Sequence, residues 1–343
     1  MAPEPAAPRA LVDRQRRRID YLRISVTDRC NYRCTYCVPE GAELAHARRA
    51  DVLSFEEIVE LARAFASVGV RRLRLTGGEP TARRELPTLA RMLRAVPGID
   101  ELSLSTNGDR LAELAAPLRE AGVDRLNVSL DSLDAARFAR ISGGGALDRV
   151  LAGLEAARAA GFASIKTNTV AIKGFNDDEL GALAAFAWAR GFVPRFIELM
   201  PMAGGSTYVP GTLMSAAEIR AALAAPGSRV VAEPDSPARG AGPARYHRLE
   251  GPAGAPARRF GVISPMTEHF CDGCNRARLS STGALHACLA HDDAVDLRAP
   301  LREGGQAAVI DAVTRALAQK RDGHEFQLVG LGGPRKAMIQ IGG

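Results

Sequence analysis

The chain has 343 residues, 46% of them hydrophobic, which is enough for one large domain and a smaller one. It contains no run of about 20 apolar residues, and its N-terminal stretch lacks the apolar core of a signal peptide, so no membrane span or secretory leader is expected. The net charge of +6 fits an anionic partner but does not separate a nucleotide from a nucleic acid, since Arg14, Arg16, Arg17 and Arg18 carry much of the excess.

Residues 1–20 are rich in Ala, Pro and Arg and read as a flexible arm, with an organelle presequence as the alternative. The first strand is expected over Leu22 to Thr27. A loop follows with Cys30, Cys34 and Cys37 at Cys-x3-Cys-x2-Cys spacing. A structural zinc takes four protein ligands. A [4Fe–4S] cluster held by three thiolates instead keeps one iron open to a small molecule. All six cysteines fall into two triplets, and Cys-x2-Cys pairs in a long, core-rich chain favour metal binding in a reducing, cytoplasmic setting over disulfides.

The middle of the chain repeats one phrase, a glycine followed by an alternating apolar run, at Gly69, Gly98, Gly122, Gly161 and Gly191. Each glycine is expected to close a helix and each run to form a strand. Capping boxes are expected at Ser54 with Glu57 and at Asn176 with Glu179. Six strand–helix units make an α/β fold, an incomplete (β/α)6 TIM-like barrel, over residues 21–210. Strand alternation puts Arg23, Ser25 and Thr27 on one face, and with them Arg74/Thr76, Ser103/Ser105, Asn127/Ser129, Lys166/Asn168 and Phe196/Glu198. Polar residues on an interior face mean a ligand cavity in place of a packed barrel core.

After the second strand comes Thr76-Gly77-Gly78-Glu79-Pro80, which allows close backbone approach to a ligand and sets a carboxylate beside it. The repeat stops near Pro210, and residues 211–343 are expected to form a smaller α+β domain. A Pro/Gly/Ala-rich loop from Glu233 to Pro256 precedes the second triplet, Cys271, Cys274 and Cys288, with Arg276 and Arg278 beside it. Three thiolates here fit either a second cluster or a zinc site closed by His269 or His286. The last residues, Ile339 to Gly343, read either as a frayed end or as a thin segment entering the polar cavity near Arg23, Arg276 and Arg278, the glycines permitting close approach.

The cysteine loop with Tyr36 and the Gly-Gly-Glu segment one unit later resemble the radical S-adenosylmethionine (SAM) superfamily. The segments Leu22 to Cys30, Asn127 to Asp131, Arg195 to Met200, Cys271 to Leu279 and the Gly342-Gly343 pair are similar to the GTP 3′,8-cyclase family within it, over residues 22 to 343. The resemblance implies two [4Fe–4S] clusters, on Cys30, Cys34 and Cys37 and on Cys271, Cys274 and Cys288. It implies SAM contacts at Tyr36, Gly78, Ser129 and Met200, the Gly-Gly-Glu segment gripping the SAM amino group. GTP contacts are implied at Arg23, Arg74, Ser105, Lys166, Arg276, Ala277 and Arg278. Ser105 stands where the family commonly has Thr, which keeps the hydroxyl. The implied reaction is radical cyclisation of GTP in molybdenum cofactor biosynthesis, with an external electron donor and the product passed to a cyclic pyranopterin monophosphate synthase. Neither nucleic acid nor membrane is an expected partner, and a homodimer is left open. Two rivals stay open: a peptide-modifying radical SAM enzyme with an auxiliary cluster, and a non-enzymatic zinc protein that binds nucleic acid.

Overall fold

A computed structural model describes residues 10–224, 227–234, 242–251 and 257–342, so residues 1–9, 225–226, parts of the 233–256 loop and Gly343 lie outside the described residues. Six parallel strands form the central wall: β1 Tyr21–Ser25, β2 Arg72–Thr76, β3 Glu101–Thr106, β4 Arg125–Ser129, β5 Ser164–Ala171 and β6 Val193–Glu198. Between them run α1 Phe55–Ser67, α2 Leu86–Arg94, α3 Leu111–Glu120, the pair α4 Ala135–Ser142 and α5 Leu147–Ala159, and α6 Leu180–Ala189. The repeat glycines all take positive φ, with Gly69 at 98° and Gly122 at 92°. That left-handed conformation ends one helix and turns the chain into the next strand at little steric cost. The outer strand face is aliphatic: Leu22, Ile24, Leu73, Leu75, Leu102, Leu104, Leu126 and Val128 are fully buried against the helices in one continuous core. Water is excluded from that face, which leaves the inner face to carry polar groups.

The C-terminal half adds to the same sheet. Here β7 Arg229–Ala232, β8 Arg245–Glu250 and β9 Arg258–Ile263 extend one side, with β9 parallel to β6. On the other side β10 Arg276–Leu279 lies parallel to β1, followed by β11 Ala284–His286 and β12 Val295–Asp296. Three helices complete this half: α7 Ala216–Leu223, α8 Arg298–Ala318 with a break at Gly305, and α9 Met338–Ile341. The parallel wall therefore gains one strand from the C-terminal half at each side of its six.

Three expectations are corrected. The stretch from Ala10 to Ile19 packs on the wall, with Leu11 and Ile19 buried, Val12 bridging Arg18, and Arg17 paired to Asp13 at 2.6 Å. The capping box forms at Ser54 and Glu57 but not at Asn176 and Glu179. The Asn176 amide is fully buried and donates to Asp131 O and Val170 O, while Glu179 accepts from Ser132 Oγ and Leu133 N. Finally, β6 runs one residue out of phase with the glycine count. Asn168 is in register with Arg195, so Arg195 and Ile197 face the cavity while Phe196 joins the core. Glu198 points outward and accepts from Ala216 N at 2.8 Å and Met266 N at 2.6 Å.

Candidate active site

All six cysteines line one cavity enclosed by the inner strand face and the C-terminal half. The loop carrying the first triplet is held from several sides. Arg33 N donates to Ser142 O and Thr35 N to Ile141 O, both at 2.9 Å. The Tyr32 hydroxyl donates to Asp109 Oδ1 at 3.0 Å, and the Tyr36 hydroxyl to Asp131 Oδ2 at 2.9 Å. Gly77 and Gly78 run directly against this loop, with Gly78 N donating to Thr27 O and Glu79 N to Arg29 O. A Cβ on Gly78 would lie 2.4 Å from Arg29 O, so only glycine fits there. The Glu79 carboxylate accepts from Thr81 N, Thr81 Oγ1, Thr106 Oγ1 and Asn107 N. Three of these donors meet Oε1 and one meets Oε2, so Oε2 keeps acceptor capacity. The carboxylate staples the Gly-Gly segment to the end of β3.

Burial raises the thiols of this triplet, Cys30 to about 11 and Cys37, helped by repulsion from Cys30, to about 12. Burial pushes Cys34 up as well. Three buried thiols that resist ionisation alone gain from a cation that binds their thiolates, and among the described residues no carboxylate or imidazole completes a set around them. Among the described residues, no three His, Cys, Asp or Glu side chains converge tightly enough for a single metal ion. A four-iron cluster spreads its thiolates over separate iron atoms, and this donor set fits one.

The second triplet differs electrostatically. Burial opposes ionisation of Cys274, but Arg276 and Lys320 outweigh it and bring the thiol down to about 6. Arg276 Nη2 lies 3.6 Å from Cys274 Sγ and its guanidinium stacks over Phe270. Arg17 donates through Nη1 to Cys271 O at 2.9 Å, tying the N-terminal stretch to this loop. Neither His269 nor His286 lines the cavity; the histidine that does is His324, in contact with His269 at 3.0 Å.

Between the triplets the inner face is cationic. Register aligns Arg278, Arg23 and Arg74 across β10, β1 and β2, with Ser103 next in line. Arg74 Nε donates to Ser103 Oγ at 3.2 Å and Arg278 Nη1 to Gly342 O at 2.8 Å. Arg195, which the sequence reading missed, donates to Asn168 Oδ1 at 2.9 Å and also to Asn127 Oδ1. Burial, then repulsion from Arg278 and Arg74, drives Arg23 well below the usual arginine value. Burial and then Arg276 bring Arg278 down to about 10. Among the described residues no carboxylate pairs with Arg74, Arg195 or Arg278. Like charges held together in a dry wall call for an anion between them.

Of the other expected contacts, Tyr36, Gly78, Ser105, Ser129 and Met200 line the cavity. Lys166 does not; its ammonium lies 5.6 Å from the centre of the Tyr246 ring. Ala277 is buried in the core between Arg276 and Arg278, so it offers a ligand its backbone alone. The C-terminal residues thread the cavity: Met338 N donates to Cys37 O at 3.4 Å, and Met338 and Ile339 line the wall. A Cβ on Gly342 would stand 3.0 Å from Ser25 Cβ.

Residues 24–187 match the Radical SAM superfamily, and residues 193–326 match Molybdenum Cofactor Synthesis C. A GTP 3′,8-cyclase of Pelotomaculum thermopropionicum is 45% identical over 334 residues, spanning 96% of this chain and 99% of that protein. The chain belongs to the GTP 3′,8-cyclase family. Other GTP 3′,8-cyclases agree: that of Rhodopseudomonas palustris is 45% identical over 335 residues, 95% of this chain and 93% of its own. GTP 3′,8-cyclase 1 of Pseudomonas aeruginosa is 45% identical over 324 residues, 93% of this chain and 95% of its own. As a radical SAM protein the chain uses a [4Fe–4S] cluster and SAM. No helix among the described residues is long and apolar enough to cross a membrane.

Proposed function

We propose that this protein is a radical SAM GTP 3′,8-cyclase, a lyase that converts GTP to 3′,8-cyclo-7,8-dihydro-GTP in molybdenum cofactor biosynthesis. The single observation that carries the reading is one cavity lined by two cysteine triplets with a row of buried arginines between them. Cys30, Cys34 and Cys37 would hold the cluster, which would supply the one-electron reduction of SAM behind the 5′-deoxyadenosyl radical that takes the C3′ hydrogen of GTP before C3′ joins C8. The chain's own residues bind, orient and exclude water.

Tyr36, Gly78, Ser129 and Met200 contact SAM. The Tyr36 hydroxyl is committed to Asp131, so Tyr36 offers its backbone, while the Gly-Gly-Glu segment grips through its backbone and through Glu79 Oε2, which among the described residues holds only Asn107 N. Arg23, Arg74, Arg276 and Arg278 hold the triphosphate through charge-assisted forks, with Ser105 and the Ala277 backbone beside them. Arg195 joins this set, and Lys166, whose charge Arg195 and Arg74 repel, adds to the positive potential of the row. A second [4Fe–4S] cluster occupies Cys271, Cys274 and Cys288, on the substrate side. An external one-electron donor, a downstream cyclic pyranopterin monophosphate synthase and a cytoplasmic setting belong to this reading. Residues 21–210 provide the SAM chemistry and residues 211–343 the auxiliary site.

Anaerobic incubation of the iron-loaded protein with SAM, dithionite and each nucleoside triphosphate, followed by mass analysis, tests the reading. GTP alone is expected to yield an isomer of its own mass plus 5′-deoxyadenosine. Product from a peptide, or a colourless zinc-loaded protein that makes no 5′-deoxyadenosine, overturns it.

A further inference from the structure

The second triplet sits on three short segments: the turn containing Cys271, the entry to β10 after Cys274, and the exit of β11 before Cys288. Behind them, just past the end of α8, lies Lys320, which is 3% exposed. Its ammonium donates to Arg276 O at 3.0 Å and to Ala287 O. Those carbonyls belong to the strand that follows Cys274 and to the residue that precedes Cys288. The adjacent Arg321 pairs with Asp293 and Glu325, whereas Lys320 pairs with no carboxylate among the described residues. A buried ammonium with two neutral acceptors keeps most of its desolvation cost unless a negative charge lies close by. Its two carbonyl partners lie two residues after Cys274 and one residue before Cys288, which sets the ammonium against the segments that carry those two sulfurs. Arg276 also stands near Cys274, but its side chain lines the cavity where substrate enters, while Lys320 lies outside the lining.

We propose that Lys320 is a positioning residue and the built-in counter-charge of the second triplet. It fastens β10 to the end of β11 through two carbonyls and offsets the negative charge that an iron–sulfur cluster brings to Cys274 and Cys288. The inference rests on the reading of Cys271, Cys274 and Cys288 as cluster ligands. Net charge and hydrogen bonding around the sulfurs set a cluster's reduction potential, so removing this cation makes the cluster harder to reduce.

The test uses the full chain with Cys30, Cys34 and Cys37 changed to Ala, which isolates the second cluster, and adds either Lys320→Arg or Lys320→Gln. Glutamine keeps a donor for the carbonyls and drops the charge; arginine keeps both. Iron content and an electron paramagnetic resonance redox titration are the readouts. At the potential where the parent is half reduced, Lys320→Gln is expected to show about a ten-fold lower reduced-to-oxidised ratio, equivalent to about 59 mV for one electron. Lys320→Arg stays within two-fold of the parent. Loss of iron from Lys320→Gln but not from Lys320→Arg also supports the proposal. An unchanged potential in Lys320→Gln, or equal loss of iron from both variants, overturns it. A parent that binds no iron refutes the cluster reading itself, whatever the lysine does.

Discussion

Arg278 shows how one side chain can answer to several elements. It is in register with Arg23, it lines the cavity, and it donates to the carbonyl of Gly342. A charge-assisted contact to phosphate is worth ~1.5–3 kcal/mol, or roughly 10- to 150-fold in affinity. Arg278→Ala and Arg74→Ala are therefore each expected to weaken GTP binding by that factor in anaerobic calorimetry, with SAM affinity little changed. Unaltered GTP affinity in both variants would remove the arginine row from the site. A second residue-level expectation concerns the iron-free protein. A thiol lowered to about 6 is mostly thiolate above that pH and loses the charge as pH falls through it. Cys274 should thus alkylate with iodoacetamide at a rate that levels off above neutrality, while Cys30, raised to about 11, continues to gain rate into strong alkali. Arg276→Ala should slow Cys274 at neutral pH. Peptide mapping after timed quenching reads both, and equal pH profiles for the two cysteines would contradict the electrostatics.

At the scale of elements, the Gly77-Gly78 segment and the cysteine loop behave as one unit, because their backbones touch. Gly78→Ala would force a Cβ to within 2.4 Å of a carbonyl that cannot swing aside. Forcing backbones apart in a packed site costs typically about 1–3 kcal/mol. The variant is expected to lose the iron of the first triplet, roughly half the total, and with it SAM cleavage. Full iron content would show that the loop tolerates the shift. The C-terminal segment spans from Cys37 O to Arg278, so it touches both halves of the site. Removing Gly342 and Gly343 should leave iron and SAM binding intact yet sharply reduce cyclised product; undiminished product would make those glycines idle. These elements were also where the sequence was most and least readable. The repeat glycines located five strand starts, and the cysteine triplets located both ends of the cavity. The phase of β6 escaped because counting from Gly191 overrode a visible signal. Every other repeat strand has Leu or Ile four residues after its glycine, whereas here that place holds Arg195 and the next holds Phe196. A one-residue slip exchanges the faces of a strand, and the inverted pattern announced it. Asn176 misled for a different reason, since its buried amide is taken by the carbonyls of Asp131, beyond β4, and of Val170 in β5, which no capping pattern reveals.

For the whole molecule, the barrel itself was legible because strand–helix alternation is a local pattern. The attachment of β9 and β10 to it was not. Those pairings join residues far apart in the chain, β10 to β1 and β9 to β6, and distant pairing leaves no periodic trace. The shared sheet has a consequence for how the chain can be divided. A fragment covering residues 21–210 would leave β1 and β6 with bare backbone donors and acceptors along both flanks. Bare parallel flanks act as templates for other chains. Such a fragment is expected to elute from size-exclusion chromatography as oligomers or to precipitate, and a well-behaved monomer would show that the six strands protect themselves. Nor can the growing polypeptide finish its first strand early, since the neighbour that seals β1 is made some 250 residues later. During that interval, the strand that leads into the first cysteine loop waits with one flank unsealed, and a chaperone has its clearest reason to hold this chain there.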